Sequence, residues 1–226
     1  MPLTILKSTD PVKIETVIVM VYGDPGAGKT SLAFTAREPL LLDFDNGSYR
    51  SAFRKDSVPV KAWADVRDLS AADLAPYGTI IVDTVGRCLD CMAVDIIREN
   101  PKMGRADGAL SLQGFGALKA RFAAWMRQLR SYGKDVILIA HGVESRNGDG
   151  VILRPDVTGS SYGEIFKIAD GVGYLHMVGK RRTLEFDPQE RFVGKNPANI
   201  DPVELPSFVQ EPAFMAGLLD RTKEAM

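Results

Sequence analysis

Residues that build metal or redox centres are scarce in this sequence of 226 residues. It contains two cysteines, Cys88 and Cys91, and two histidines, His141 and His176. A structural zinc site needs four ligands, and a redox C-x-x-C pair is expected to open a helix in a thioredoxin-like setting. We therefore interpret both cysteines as reduced residues inside a helix and expect no structural zinc.

A strong net charge and long apolar runs are also lacking. The formal net charge is -1, which argues against a protein that coats nucleic acid or membrane through its overall charge. Such a partner would have to meet a local patch. No apolar stretch approaches the length of a membrane span, and residues 1–15 lack a basic start followed by an apolar run. We expect a cytoplasmic protein without a membrane partner.

Apolar runs of strand length alternate with helical patterns along the chain. The runs are apolar on both faces, which is typical of parallel strands covered by helices on each side. They occupy residues 17–22, 40–44, 79–85, 135–141 and 171–178, and helices are predicted over residues 29–38, 85–100 and 117–131. This pattern predicts an α/β fold with a mostly parallel central sheet and helices on both faces.

Two long connections, 99–116 and 142–164, are rich in glycine and polar residues. Connections of this length in a compact domain are typical of mobile functional loops rather than simple turns. Both are therefore candidate binding segments.

The end of the chain has a different pattern. Residues 183–194 suggest a small β-hairpin, and residues 212–226 suggest a short amphipathic helix. No internal repeat or linker divides the sequence. We predict one domain over residues 1–226, with a core over about 17–196 and a C-terminal extension over 197–226.

The segment GDPGAGKT, from Gly23 to Thr30, fits the phosphate-binding pattern G-x-x-x-x-G-K-[ST]. Its glycines permit positive φ, so that successive N–H groups can face phosphate oxygens. Lys29 would then reach the β- and γ-phosphates, and the Thr30 hydroxyl would hold Mg²⁺. The residues expected to bind the nucleotide are Gly23, Asp24, Pro25, Gly26, Ala27, Gly28, Lys29, Thr30 and Ser31.

Acidic residues end two of the predicted strands. An ionised Asp83 would be costly after its apolar strand without a metal or hydrogen-bonding partner, so we expect it to be a magnesium ligand. The alternative is that Asp83 caps the next helix. Asp43 and Asp45 end another strand, and an acidic residue there would position the attacking water. Spacing alone does not separate these two.

His141 ends the strand over 135–141. There it could sense the γ-phosphate by hydrogen bonding, a role suited to a switch between nucleotide states. A structural histidine is the alternative.

In this order, the phosphate loop, Asp83, the acidic strand end and His141 resemble the RecA-like ATPase core, and most closely its small phage-type members, which include single-strand annealing proteins. The resemblance extends over residues 17–196. It implies bound ATP and Mg²⁺, with Asp45 in the catalytic position where the family usually has the longer Glu. It also implies that Asp83 binds the metal and that His141 reports the nucleotide state to DNA-binding loops.

The same resemblance implies single-stranded DNA as a partner, bound by the segments 99–116 and 142–164. Between residues 111 and 134 there are five basic residues and no acidic one, which agrees with this: Lys119, Arg121, Arg127, Arg130 and Lys134. A solvated helix face is the alternative for these residues.

RecA-like cores complete their ATP site with a cation from the neighbouring subunit. The resemblance therefore implies a homo-oligomer, as a ring or a filament, with ATP at the subunit interface. Lys195 matches the family segment that provides the cation, although the family's second Lys is replaced by Pro197. The segment KRR over residues 180–182 is a competing source, and a solvated turn is the alternative for it.

The main hypothesis is an ATP hydrolase that requires Mg²⁺, binds single-stranded DNA and promotes annealing or strand pairing in phage DNA recombination, in the cytoplasm of the host cell. Three alternatives use the same loop. They are a kinase for a nucleotide or small molecule, a helicase-type motor, and a nucleotide switch with slow hydrolysis, which the short Asp45 keeps open.

Overall fold

A mostly parallel sheet of nine strands forms the centre of the computed structural model, which describes residues 7, 13–51, 53–147, 150–157 and 161–226. The strands are β1 (Ile18–Gly23), β2 (Pro39–Asp43), β3 (Ser57–Pro59), β4 (Thr79–Asp83), β5 (Asp135–Asn147), β6 (Gly150–Pro155), β7 (Gly171–Val178), β8 (Arg181–Glu185) and β9 (Val203–Glu204). Their order is β3-β2-β4-β5-β1-β7-β8-β9, and β6 pairs with β5.

The pairing of β1 determines where the candidate residues meet. It pairs in parallel with β5 on one side and with β7 on the other. In turn β5 pairs in parallel with β4, so that β5 lies between the strand before the phosphate loop and the strand that ends at Asp83. Because the carboxyl ends of parallel strands meet at one edge of the sheet, the ends of these three strands form one edge. The predicted parallel sheet is confirmed.

Both faces of the sheet are buried, as the apolar runs predicted. On β1, Ile18, Met20 and Tyr22 pack into one apolar cluster, whereas Val19 and Val21 pack into a second cluster on the other face. The five α-helices of the described residues are α1 (Lys29–Ala33), α2 (Val85–Glu99), α3 (Leu112–Ser131), α4 (Ser161–Ile168) and α5 (Phe214–Ala225). The first cluster contains residues of α2, α3 and α4, and the second contains residues of α1 and α5.

Three helix boundaries differ from the sequence prediction. The first helix ends at Ala33 rather than near residue 38, because the main-chain oxygen of Thr35 accepts a hydrogen bond from Ala216 in α5 instead of continuing the helix. The second ends at residue 99, one residue early. The third begins five residues early because the Ser111 hydroxyl accepts from the Gly114 N–H and caps it. Cys88 and Cys91 are free thiols on α2, as predicted.

The expectation of a mobile loop over residues 142–164 is wrong for the described part of that segment. Strand β5 continues past His141 to Asn147 and pairs with β6 in an antiparallel hairpin. The hairpin is bound to the rest of the chain through Leu153, whose N–H donates to the Arg191 oxygen at 2.8 Å. Residues 148–149 and 158–160 lie outside the described residues. The other segment, 99–116, contains a short 3-10 turn and the start of α3.

The C-terminal hairpin and helix are present, but the hairpin lies earlier than predicted. It is formed by β7 and β8 and not within residues 183–194. The last helix, α5, packs on the core through ion pairs of Lys223 with Asp135 and of Asp220 with Arg37, both at 2.7 Å. Within the described ranges, no helix is both long and apolar enough to cross a membrane.

Candidate functional site

The loop between β1 and α1 holds a buried ammonium group at the carboxyl edge of the sheet. Lys29 is 6% exposed, and its Nζ donates to the main-chain oxygens of Gly23 and Asp24, both at 2.8 Å. Burial lowers the pKa of Lys29, and the nearby Asp83 carboxylate opposes that effect. Since its hydrogen-bond partners are neutral carbonyl groups, the ammonium charge is available to an anion bound in the loop.

Two loop glycines are required by their surroundings. A Cβ at Gly23 would lie 2.1 Å from the main-chain oxygen of Leu175, so only glycine allows β1 to approach β7 at this point. Gly28 has a φ of +98°, a backbone conformation that favours glycine. A Cβ there would also lie 3.3 Å from Nη1 of Arg182. The motif glycines therefore shape the loop.

The Thr30 hydroxyl donates a hydrogen bond of 2.6 Å to Oδ2 of Asp83, which joins α1 to the end of β4. Burial raises the pKa of Asp83 to about 6, against the lowering effect of that hydrogen bond, and the Asp45 and Asp43 carboxylates add to the rise. Asp83 is not the cap of the next helix, because the N-cap residue of α2 is Thr84.

The hydroxyl and the carboxylate fit magnesium. Both are oxygen ligands of the kind that Mg²⁺ binds, and a cation would offset the cost of burying the Asp83 charge. Across the part of the chain that the structure describes, no group of three or more His, Cys, Asp or Glu side chains forms another metal site. Thr30 and Asp83 are therefore the residues that would hold the ion.

The raised pKa of Asp83 predicts a pH-dependent free energy of unfolding without metal or nucleotide. The folded state holds the proton more tightly, so this stabilising contribution is complete below pH 3.8 and is lost as the pH rises through about 6. Asp83→Asn removes the dependence. At pH 8 we expect the variant to be more stable than the wild type by about 1–3 kcal/mol, with no difference near pH 3.5. Urea unfolding in chelator at a series of pH values measures this, and parallel curves for the two proteins would contradict it.

The two acidic residues at the end of β2 have different surroundings in the structure. Asp43 is buried, and its two oxygens accept from the N–H groups of Gly47 and Ser48, both at 3.0 Å. Asp43 therefore holds the following turn. Asp45 lies after the strand, with about a third of its side chain exposed, and it lines the cavity at the phosphate loop. Asp45 is the residue that a bound water or substrate can reach.

His141 lies between the phosphate loop and Asp83, because β5 lies between β1 and β4. Its Nε2 is 3.5 Å from Oδ2 of Asp45, and among the described residues its buried Nδ1 has no hydrogen-bond partner. Arg87, at the start of α2, approaches the other Asp45 oxygen at 3.5 Å. The structure thus brings His141 and Asp45, two predicted site residues, close together, and it adds Arg87.

A cavity of about 260 Å³ collects these groups. Its lining residues are Pro25, Gly26, Gly28, Lys29, Thr30, Ser31, Asp45, Gly47, Arg50, Ser51, Asp83 and His141. Arg50 and Ser51 were not predicted. They follow a turn whose course depends on the buried Asp43, so no local sequence signal places them at the loop.

Lys195 has a structural contact in its own chain. Its Nζ donates to the main-chain oxygen of Ala169 at 2.5 Å, and the oxygens of Phe166 and Lys167 lie at 3.4 and 3.5 Å. It therefore holds the end of α4 and does not line the cavity formed by its own chain. Its role toward a neighbouring subunit stays a prediction.

Three of the five basic residues on and after α3 are already paired with carboxylates. Lys119 pairs with Glu164, Arg121 with Asp95 and Glu99, and Arg130 with Asp170. The other two of the five basic residues are Arg127 and Lys134. Because paired charges have less to offer a polyanion, α3 is a weaker candidate for DNA binding than its sequence suggests.

A strand, a phosphate loop and a helix, with a hydroxyl–carboxylate pair at the neighbouring strand end, define a P-loop ATPase core. The chain belongs to the AAA domain family AAA_24, whose model matches residues 15–198. With the sheet order above, the prediction of an α/β P-loop fold with a mostly parallel central sheet is confirmed.

One relative and one solved structure extend the comparison. The chain is 27% identical over 214 residues to the SPbeta prophage-derived uncharacterized protein YorG of Bacillus subtilis (strain 168). That alignment covers 88% of this chain and 64% of the relative, so the chain spans about two thirds of the relative's length. It is also similar to the KaiC-like protein PH0186 of Pyrococcus horikoshii OT3, with 14% identity, a TM-score of 0.44, and coverage of 74% of this chain and 76% of that one.

Proposed function

We propose that this protein is a Mg²⁺-dependent ATP hydrolase that binds single-stranded DNA and promotes annealing or strand pairing in phage DNA recombination. The proposal depends on one observation: the Lys29 ammonium, the pair of Thr30 and Asp83, and the Asp45 carboxylate all face one cavity. These are the groups needed to hold a triphosphate and to orient an attacking water. The prophage origin of the relative supports the phage setting.

Each group would have a separate task in hydrolysis. The loop amides and Lys29 would bind the β- and γ-phosphates and stabilise the charge that develops on the transferred phosphoryl group. Thr30 and Asp83 would hold Mg²⁺, which when bound supplies further neutralisation of the phosphates. Asp45 would accept a hydrogen bond from the attacking water and orient it.

His141 connects this chemistry to the hairpin of β5 and β6. Its side chain faces Asp45, while its main-chain oxygen accepts from the Asp156 N–H at 2.8 Å, just beyond β6. Residues 142–147 continue the same strand into the hairpin. A change in the position of His141 on nucleotide binding would therefore act on both strands of the hairpin.

The hairpin and the adjoining helix α4, more than α3, carry features suited to single-stranded DNA. Arg146 is exposed, and the Arg154 guanidinium lies 5.2 Å from the centre of the Tyr162 ring. Tyr162 in turn contacts Phe166, with the ring centres 5.9 Å apart. Cationic and aromatic side chains together bind the backbone and the bases of single strands.

We expect ATP with Mg²⁺ to raise the affinity for a labelled single-stranded oligonucleotide by about tenfold or more, measured by fluorescence anisotropy. By linkage, the oligonucleotide should raise the affinity for ATP by the same factor. Arg154→Ala should weaken DNA binding, whereas Arg221→Ala, an exposed residue of α5, should not. Equal DNA affinity with and without nucleotide, together with no acceleration of annealing of complementary strands, would contradict the proposal.

A nucleotide switch with slow hydrolysis is the second candidate. The observation that favours it is that both oxygens of Asp45 already face cations or donors, Arg87 and His141, at 3.5 Å each. ATP turnover with and without single-stranded DNA separates the two candidates. Phosphorylation of an added small acceptor, or unwinding of a duplex, would instead indicate the kinase or the helicase.

A further inference from the structure

A second cavity, of about 490 Å³, adjoins the phosphate loop on the side of the β7–β8 hairpin. Its lining is mixed, with the apolar residues Phe53, Met177, Leu205, Pro206 and Phe208 and the polar or charged residues Lys180, Arg181, Arg182, Glu204 and Ser207. Met177 is 53% exposed although it is apolar. The Phe53 and Phe208 rings meet edge to face, with their centres 5.8 Å apart. The cavity therefore offers aromatic and aliphatic surface beside a polar site.

Arg182 lies between this cavity and the phosphate loop. Strand β8 holds its backbone opposite Met177, and its main-chain oxygen accepts from the Leu205 N–H at 2.8 Å. The side chain reaches the loop, since a Cβ on Gly28 would lie 3.3 Å from Nη1 and 3.6 Å from Cζ. The main-chain contacts thus fix the backbone of Arg182, and its exposed side chain places the guanidinium beside Gly28.

The charge of Arg182 is uncompensated. The neighbouring Arg181 pairs with Glu204 at 2.8 Å, whereas Arg182 has no ion pair in residues 13–51, 53–147, 150–157 or 161–226. A guanidinium presents donors in a planar fork that matches phosphate oxygens. Its position beside the loop therefore fits a bound phosphate.

The linings of the two cavities also come close to each other at Ser51 and Phe53. Ser51 and Ser31 line the phosphate cavity, and their hydroxyls are 3.0 Å apart. The Phe53 N–H donates to the Ser51 hydroxyl at 3.4 Å, and Phe53 lines the second cavity. Two short contacts, at Arg182 with Gly28 and at Phe53 with Ser51, therefore connect the linings of the two cavities.

We propose that the second cavity receives the nucleoside of the bound nucleotide and that Arg182, from the same chain, binds its phosphates. The proposal rests on the proposed function in that a triphosphate must occupy the loop. The base of a nucleoside is flat and its sugar carries hydroxyl groups, which suits a cavity that has a Phe pair and a methionine beside polar residues. Arg182 then supplies from the same chain a cation that the RecA-like resemblance assigned to a neighbouring subunit.

The affinities for ATP and for inorganic tripolyphosphate, both measured by calorimetry, test whether the second cavity binds the nucleoside. Phe53→Ala and Met177→Ala should weaken ATP binding by about tenfold and leave tripolyphosphate binding within about twofold. Arg182→Ala should weaken both ligands by about tenfold, and the exposed Arg191→Ala should weaken neither. Equal losses for the two ligands in both cavity variants, or no losses, would overturn the proposal. If the wild type binds neither ligand, it is the proposed function that fails.

Mixing two variants tests whether Arg182 acts within its own chain. Lys29→Ala lacks the loop cation, and Arg182→Ala lacks the flanking one. If both groups serve the same chain's site, the ATP turnover of a mixture should equal the sum of the separate activities. Recovery of turnover well above that sum would place Arg182 in the site of a neighbouring subunit and overturn this part of the proposal.

Discussion

Replacing Lys29 with alanine should weaken ATP binding by about 10- to 150-fold, because the variant loses a charge-assisted hydrogen bond to phosphate of about 1.5–3 kcal/mol. Turnover should fall by about 10²- to 10³-fold, since the same ammonium group stabilises charge in the transition state. Nucleotide-dependent binding of single-stranded DNA should disappear at ATP concentrations that saturate the wild type. Calorimetry and phosphate release measure these effects.

The free energy of unfolding serves as the control measurement for Lys29→Ala, because a loss of ATP binding must not result from unfolding. Lys29 is buried and its pKa is lowered by that burial, so removing the ammonium removes a desolvation cost as well as two hydrogen bonds. We expect the free energy of unfolding to change by no more than about 1 kcal/mol. Lys55→Ala, at an exposed position, should match the wild type in every assay. An unchanged ATP affinity in Lys29→Ala would refute the assignment of the loop.

Asp45→Asn should lower the turnover number by about 10²- to 10⁴-fold while ATP affinity stays within about threefold. The reason is geometric. Asp45 lines the same cavity beside His141, and within the described residues no hydrogen bond or ion pair joins it to Lys29 or Thr30. Single-turnover measurements of ATP hydrolysis with saturating enzyme test the chemical step directly.

The neighbouring acidic residue provides the matched comparison. Asp43→Ala removes both acceptors of the Gly47 and Ser48 N–H groups and should destabilise the fold by about 2–4 kcal/mol, seen as a lower unfolding midpoint in urea. Asp45→Asn should leave that midpoint nearly unchanged. If the two substitutions exchange these effects, with Asp45 needed for stability and Asp43 for turnover, the assignment of the catalytic carboxylate is wrong.

The parts of the site that the sequence predicted are those made by short stretches of chain. Gly23 to Thr30 form the loop within eight consecutive residues, so that spacing alone specifies it. Asp83 and His141 were predicted because each closes a buried apolar run, and the carboxyl ends of parallel strands meet at one edge. Asp83 ends β4, and His141 is the last residue of β5 that pairs in parallel with β1.

The misplaced elements depend on distant contacts. The first helix stops where α5, some 180 residues later in the chain, binds Thr35. Residues 142–147 form a strand because β6 pairs with them and because Leu153 is bound to the segment around Arg191. Glycine-rich and polar composition is common to mobile loops and to exposed hairpins, so composition could not distinguish the two.

By itself, the sequence determined the phosphate loop, the alternation of strands and helices, and the burial of the sheet on both faces, because each follows from residue type and spacing within about ten residues. Spacing left Asp43 and Asp45 open, and the tertiary structure places Asp45 at the cavity, in agreement with the family resemblance. Only the tertiary structure decided that Arg50 and Arg182 reach the loop and that most of the basic residues of α3 are paired with carboxylates. These outcomes depend on turns and on contacts between residues that are far apart in the chain. Packing brings those residues together, and nearby carboxylates then pair with cations that would otherwise be free to bind a ligand.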